Sequence, residues 1–261
     1  MKGMRITLSW IYLALIYLFI LGPMFFVLAA SFNTETSFPA AFEGVTLRWY
    51  ARIWDHKEFL SSAWTSTLVA LVSSALAVLA AFLAAYAISR GNKRENAWLS
   101  ATLAAPLLVP QVVMSLGMLQ LASVAGMGTG FWWLVAVHAV HNIPFALRLT
   151  MTGFARFDFA LEDAATSLGA GRLTAWREVT IPVLQSSIVA GFTFCFIMSF
   201  VNLPVSLFLA DTATTTLPVV MYSYIESRID PMLAAVSAIL FVLACAITLI
   251  LDKIFRIRLV D

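Results

Sequence analysis

The sequence predicts an all-α, polytopic membrane protein with six transmembrane helices. Hydrophobic residues make up 61% of its 261 residues and charged residues only 11%, against about 25% charged residues in soluble domains. A mean hydropathy of +0.91 leaves too few polar side chains to cover a soluble surface. The apolar runs are long and continuous, whereas membrane β-strands would alternate over about ten residues. Helices are therefore expected to satisfy the backbone hydrogen bonds in lipid.

Six uncharged apolar segments are predicted to cross the membrane. Several exceed the 20 or so residues that span about 30 Å of hydrocarbon as a helix. The predicted spans are 8–31, 63–89, 97–123, 131–147, 183–210 and 231–251. The first is preceded by Lys2 and Arg5 but exceeds the apolar core of a signal peptide, which is about 7–15 residues long. We expect an uncleaved first helix, with cleavage near Ala29 as the alternative.

The segments between the spans carry local signals. The outer segment 32–62 is rich in aromatic side chains of the kind found at membrane interfaces, and a short amphipathic helix is predicted near 47–54. The turn 90–96 is short, so the second and third helices are expected to pack as antiparallel neighbours. Pro106 and Pro110 predict a kink in the third span, because proline lacks a backbone donor and clashes with the preceding turn.

These signals predict three regions. Residues 1–62 form the first transmembrane helix and a periplasmic segment, residues 63–252 form the core, and residues 253–261 form a cytoplasmic tail. The last outer loop is predicted at 211–230.

The distribution of lysine and arginine predicts the orientation. With a cytoplasmic N-terminus and six spans, the inner segments hold twelve of these residues and the outer segments hold four. The acidic residues divide seven and seven, so the bias lies in the basic residues alone. The positive-inside rule therefore places both termini in the cytoplasm. The net charge of +2 gives no indication of nucleic-acid binding.

The polar stretch between the fourth and fifth spans carries the most specific motif. Residues 162–182 read EDAATSLGAGRLTAWREVTIP. An acidic residue and two alanines are followed after three residues by glycine, and after nine more by Val-x-Ile-Pro. The residues of this motif are Asp163, Ala164, Ala165, Gly169, Val179, Ile181 and Pro182.

Two short helices are predicted in this stretch. Asp158 can cap a helix that enters at Phe159, and Glu162 and Asp163 lie in its first turn, where the helix dipole favours negative charge. Gly169 or Gly171 can end it in the left-handed conformation. The first helix has an apolar stripe of Leu161, Ala164, Ala165 and Leu168. The second has a stripe of Leu173, Trp176 and Val179, and it is expected to stop before Pro182.

Helices of this length are marginal alone in water, where about 12–15 residues are needed. Their stripes must therefore lie against something. The alternatives are a separate partner protein and the helix ends of this chain itself.

The stretch closely resembles the "EAA" loop of the membrane subunits of bacterial ABC importers, whose pattern is Glu-Ala-Ala-x3-Gly-x9-Ile-x-Leu-Pro. Asp163 replaces the first glutamate, with Glu162 just before it, and Val179 and Ile181 replace Ile and Leu. The resemblance covers roughly 60–252 and implies the MetI-like, type I importer permease architecture. The segments SFNTETSF, PLLVPQVVMSLGML and DPMLAAVSAIL are most similar to the spermidine/putrescine branch.

The resemblance also implies a division of labour. Residues 158–182 would form cytoplasmic coupling helices that dock on a separate ATPase dimer. The implied coupling residues are Glu162, Asp163, Ala164, Ala165, Gly169 and Pro182. This chain would then be no enzyme and would hold no cofactor or metal, since ATP and Mg would be bound by the ATPase. Consistently, the sequence lacks a Gly-x4-Gly-Lys-Ser/Thr loop.

Further partners follow from the same resemblance. They are a second homologous permease subunit, a periplasmic solute-binding protein and the lipid of the bacterial inner membrane. Nucleic acid is not among them.

Polar residues inside the spans are candidates for the substrate path. We select Asn202, next to Pro204, together with Ser199 and Gln111. The other polar side chains in the spans include Gln120, His138, His141, Asn142 and Ser206. The alternative for each is a hydrogen bond between helices, worth about 0.6 kcal/mol on average.

The solute itself is left open. Similar polyamine permeases have an acidic pair where this chain has Val201 and Asn202, so a neutral or anionic solute, or another organic amine, fits as well as a polyamine.

Two other classes of protein compete with the importer. An ion-coupled secondary transporter would show buried carboxylates or inverted repeats, and the six spans contain no Asp, Glu, Lys or Arg. A membrane enzyme with a metal at His138 and His141 would need a third ligand, and none is evident. The importer permease is therefore the favoured interpretation.

Overall fold

The computed structural model describes residues 2–34, 43–91, 93–227 and 230–255. Within these ranges the chain is helical apart from loops and one isolated bridge between Asn33 and Val45. Five helices among the described residues are long and apolar enough to cross a membrane, and a bent pair brings the number to six if it forms one span. The predicted all-α membrane architecture is confirmed. Ser37 and most of the predicted tail 253–261 lie outside the described residues.

The helices follow one another with short breaks. They are α1 (Lys2–Ser31), α2 (Arg48–Ile53), α3 (Lys57–Arg90), α4 (Lys93–Ala104), α5 (Gln111–Val124), α6 (Phe131–Phe154), α7 (Ala160–Ser167), α8 (Arg172–Ala175), α9 (Ile181–Phe200), α10 (Leu203–Leu209), α11 (Leu217–Ser227) and α12 (Met232–Phe255). A 3-10 helix covers Ala105–Leu108 and a π-helix covers Trp176–Thr180.

The chain divides into two compact units, one of which combines Met1–Leu60 with Met221–Cys245. In this unit α2 confirms the short helix expected near 47–54. Trp49 is fully buried, and its indole N–H donates to the carbonyl of Asn33 at 2.7 Å. Phe59 and Tyr224 pack edge to face at 5.5 Å. Aromatic side chains therefore contribute to the packing of this unit.

The other unit combines Ser61–Val220 with Ala246–Asp261. Its central pair is α6 and α9, which share a buried core that includes Leu147, Leu184 and Cys195. The two helices approach closely at Gly153, where a Cβ atom would lie 2.6 Å from the Ser187 hydroxyl. Glycine is therefore needed at this crossing.

The third predicted span is broken rather than kinked. The helical segments Asn96–Leu108 and Gln111–Val124 meet at 99°. Val109, which precedes Pro110, is extended at φ −98° and ψ 126°, as expected because the ring of a following proline disfavours the helical region. Two prolines four residues apart thus end one helix and start another.

The fifth predicted span, 183–210, is divided next to Pro204. The helix α9 ends at Phe200, and α10 starts at Leu203 with Pro204 in its first turn. Asn202 between them has ψ 98°. Proline is well tolerated in a first turn, where its missing N–H is not needed, so the chain restarts a helix there.

The expected stop before Pro182 is wrong as well. The helical stretch runs without a gap from Arg172 to Phe200, through a π turn in which the N–H of Ile181 bonds to the carbonyl of Trp176. The wider π turn accommodates the proline ring that would clash with a regular turn.

The predicted outer loop 211–230 is not entirely a loop, since it contains α11. The N-terminus of α11 is fixed by the Ser66 hydroxyl, which accepts from the N–H of Leu217 at 2.8 Å. This capping partner comes from α3, 151 residues away, so sequence periodicity alone could not indicate it.

Candidate functional site

The first helix of the loop 158–182 folds much as its sequence predicts. Asp158 accepts from the N–H of Ala160 at 2.9 Å, and α7 begins at Ala160, one residue after the predicted start. Gly169 has φ +94°, a conformation that glycine adopts without steric cost. Gly171 has φ −66°, so Gly169 is the residue that ends the first helix.

Among the described residues, nothing covers the leucines of the apolar stripe of α7 completely. The exposed fractions are 49% for Leu161 and 90% for Leu168. Ala164 is exposed and Ala165 is half-buried. On α8, which begins the second arm of the loop after Gly171, Leu173 is 78% exposed. The alternative, packing of the stripe on this chain's own helix ends, is therefore not observed at these leucines among the described residues.

The opposite side of α7 is anchored to the end of α3. Glu162 is only 2% exposed, and its Oε1 accepts a 2.9 Å hydrogen bond from the Tyr86 hydroxyl. The Arg90 guanidinium donates to the Tyr86 hydroxyl at 3.1 Å and to the Asp163 carboxylate. Its Nη1 lies 3.9 Å from Glu162 Oε2. Glu162 and Asp163, which were expected to interact favourably with the helix dipole, thus also hold the loop against the end of α3.

Aromatic rings surround this anchor. The ring of Tyr86 lies 4.8 Å from Trp176 and 6.0 Å from Phe159. Arg90 lies 5.1 Å above Phe159, and Arg172 lies 5.6 Å above Trp176, in cation–π geometry. Trp176 therefore packs within this chain, unlike Leu173 on the same predicted stripe. Pro182 lies exposed in the first turn of α9.

Within the membrane spans, four polar side chains form a buried polar layer of Ser73, His138, Ser199 and Ser206. His138 Nδ1 lies 2.7 Å from the Ser199 hydroxyl and Nε2 lies 3.3 Å from the Ser206 hydroxyl. The Ser73 and Ser199 hydroxyls lie 3.0 Å apart. The layer therefore joins α3, α6, α9 and α10.

Other candidate path residues lie beside this layer. Gln111 Nε2 is 2.6 Å from His141 Nε2. The Asn142 amide donates to the carbonyl of Cys195 at 3.1 Å, and Asn142 Oδ1 is buried without a hydrogen-bond partner among the described residues. Gln120 is exposed on α5. Gln111 and Ser199 thus contact the two histidines rather than each other.

Asn202 lies in the break between α9 and α10. It is 5% exposed, and its Oδ1 accepts from the N–H of Val205 at 2.9 Å. This is the hydrogen bond of a helix N-cap. Asn202 therefore has a structural partner at the point where the backbone of the fifth span departs from a helix.

A turn follows α10, outside the helices that are long and apolar enough to cross a membrane. Asp211 Oδ1 accepts from the hydroxyl and the N–H of Thr214 and from the N–H of Ala213. The hydroxyl bond and then the two backbone bonds stabilise the ionised carboxylate, so they lower the pKa of Asp211. Asp211 thus forms the turn at the start of the predicted outer loop 211–230.

The sequence did not indicate Tyr86 as a partner of the loop, and Arg90 counted only as an inner basic residue. The available signal was their spacing of four residues at the end of a span, which places them on one helix face. The pairing with residues more than 70 positions away depends on the tertiary structure.

A protein-family model described as the binding-protein-dependent transport system inner membrane component matches residues 77–260. The chain is 27% identical to the spermidine/putrescine transport system permease protein PotC of Haemophilus influenzae, over 97% of this chain and 98% of that protein. It is 24% identical to the putrescine transport system permease protein PotI of Escherichia coli K12, over 86% of this chain and 82% of that protein.

The fold is similar to that of a chain from a bacterial ABC transporter involved in the import of the acidic polysaccharide alginate. The TM-score is 0.71 at 16% identity, with 100% of this chain and 99% of that chain covered. At this identity the likeness concerns the fold.

Proposed function

Because this chain belongs to the family of binding-protein-dependent transport system inner membrane components, the permeases of ABC importers, we propose that its loop 158–182 couples transport to ATP hydrolysis on a separate subunit. A dimer of that ATPase binds ATP and Mg, and this chain supplies half of the pore. A second homologous permease supplies the other half, and a periplasmic binding protein delivers the solute. The ion-coupled transporter is set aside by the family match.

The exposed leucines of the loop support this proposal most directly. Leu161, Leu168 and Leu173 project from a segment that is anchored on its other side through Glu162. Exposed apolar side chains on a fixed polar loop are typical of a protein interface. An ATPase surface with an apolar groove would cover them, and Ala164 would allow the close approach.

The surface of α5 supports a second permease subunit. Its exposed apolar side chains include Val113 at 58% and Val124 at 81%, and Gly117 has open space around it. Small residues on an apolar helix face permit close packing of helices in membranes. We propose that this face contacts the homologous subunit, while the exposed side chains of α1 face lipid.

The solute is proposed to be a small organic amine of the polyamine class or a related compound. The names of the two similar permeases support this class. The predicted spans contain no carboxylates that could form ion pairs with a polyamine, so related compounds are included in the proposal. Asn202, Ser199 and Gln111 are the side chains proposed for the path. A cavity lined with amides and hydroxyls would bind an amine through hydrogen bonds rather than through ion pairs.

Reconstitution tests the proposed function. The chain, combined in proteoliposomes with its candidate ATPase, second permease and binding protein, is expected to accumulate radiolabelled spermidine only when ATP is present on the ATPase side. A proton or sodium gradient without ATP should give no uptake. Uptake driven by such a gradient would contradict the proposal, and ATP-driven uptake of another solute would contradict only the polyamine class.

The proposed topology gives a separate prediction. In a cysteine-free background, single cysteines are introduced as Ser37→Cys and Ser167→Cys, and intact cells are treated with an impermeant thiol reagent. The cysteine at position 37 should react and the one at 167 should react only after the membrane is permeabilised, because the positive-inside bias places the loop in the cytoplasm. The opposite labelling pattern would reverse the orientation of every span.

A further inference from the structure

We propose that Tyr86 and Arg90, together the α3 clamp, are positioning residues that fix which face of α7 the chain presents to its ATPase partner. The proposal rests on the proposed function and adds two residues of a different helix to the coupling site. Neither residue lies in the loop 158–182.

The rotation of α7 about its own axis is the quantity that the clamp sets. Successive residues of a helix are separated by about 100°. On such a helix Glu162 and Asp163 point to the side opposite the stripe of Leu161, Ala164 and Leu168. Holding the two carboxylates on α3 therefore turns the apolar stripe outward.

Because Glu162 is buried, its carboxylate needs particular partners on α3. A carboxylate that is 2% exposed is costly unless hydrogen bonds or a countercharge compensate for lost water. Tyr86 supplies the hydrogen bond to Oε1 at 2.9 Å. Oε2 has no hydrogen bond among the described residues, and Arg90 Nη1 lies 3.9 Å from it. Without the clamp, rotation of the Glu162 carboxylate into water would lower its free energy.

The clamp also connects the two arms of the loop. The Tyr86 ring contacts Phe159 before α7 and Trp176 after α8. Arg90 reaches Tyr86 and Asp163 at the same time, which requires the forked donors of a guanidinium. Both arms are therefore held by one end of α3, and a movement of either arm is transmitted to that helix.

A spin label at position 167 reports on the orientation of α7 in the absence of the ATPase and the other proposed subunits. It is attached after Ser167→Cys in the cysteine-free full-length chain in lipid nanodiscs. Tyr86→Phe keeps the ring and removes the hydroxyl, so the mobile fraction of the label should rise. Loss of a hydrogen bond to a charged group shifts such an equilibrium by about tenfold or more. Tyr224→Phe is the matched control, because it removes a tyrosine–carboxylate bond to Asp230.

Arg90 provides a second, milder variant. Arg90→Gln should mobilise the label as Tyr86→Phe does, whereas Arg90→Lys should restore only part of the immobilisation, because an ammonium group keeps the charge but not the fork. A label as immobile in Arg90→Lys as in the unaltered chain would show that the fork has no role. An immobile label in both Tyr86→Phe and Arg90→Gln would overturn the clamp.

Transport assays on the assembled complex distinguish a positioning role of the clamp from a folding defect. With spermidine as the probe, Tyr86→Phe should leave the ATPase bound but raise the ATP hydrolysed per spermidine imported at least about threefold, and Tyr224→Phe should not. An unchanged ratio would also overturn the clamp. If the unaltered chain binds no ATPase at all, the proposed function fails, while the label measurement on the chain alone still decides the clamp.

Discussion

Replacing both Ala164 and Ala165 with glutamate should abolish ATP-driven uptake while leaving the chain inserted in the membrane. Ala164 is exposed and Ala165 half-buried on the face of α7 that carries Leu161 and Leu168. Under the proposed docking, two carboxylates would be buried against the ATPase without partners, which is costly for each. We expect binding of the ATPase to weaken at least about a hundredfold, measured by co-purification and titration.

The control for this double substitution lies on the same helix. Thr166→Glu with Ser167→Glu adds the same charge to exposed positions away from the stripe, and uptake should remain close to that of the unaltered chain. Gly169→Pro provides a third variant, because proline cannot adopt φ +94°. If the Ala164 and Ala165 variant binds the ATPase and transports normally, the docking role of the loop is wrong.

Asn202→Leu should greatly reduce uptake, and Asn202→Asp should increase the preference for cationic solutes. The structure shows how these two substitutions differ, because Asn202 caps α10 by accepting from the N–H of Val205. Leucine loses that cap, at a cost of about 0.5–2 kcal/mol, whereas aspartate keeps it. Aspartate thus changes the charge of the proposed path without removing its local structural role.

The measurements are competition uptake of spermidine against neutral amides, together with co-purification of the ATPase. A carboxylate that faced lipid would cost about 2.5–3.5 kcal/mol at mid-helix and hinder insertion. Asn202→Ser is the control, since serine caps helices equally well and should assemble normally. Failure of Asn202→Asp to assemble would place the side chain in lipid or dry packing. Normal assembly with unchanged selectivity would remove Asn202 from solute recognition.

The loop and the two broken spans differ in how far neighbouring residues determine their structure. The end of α7 at Gly169 was predictable because a left-handed residue is a local requirement, which glycine meets. Pro106 and Pro110 likewise indicated a disturbance, but its size, 99°, depends on the packing of α4 and α5. The break at Asn202 was indicated only by Pro204, and its cap required the backbone of α10 to be in place.

The sequence by itself determined the membrane class, the number of apolar segments and the position of the loop, because each follows from composition, segment length or residue spacing. Only the tertiary structure decided that Leu168 is exposed while Glu162 is buried, and that Trp176 packs on Tyr86. The same holds for His138, whose two ring nitrogens meet serines from α9 and α10. The physical reason is that burial and pairing of a side chain depend on helices distant in sequence, whereas turn conformation and hydropathy depend on neighbouring residues.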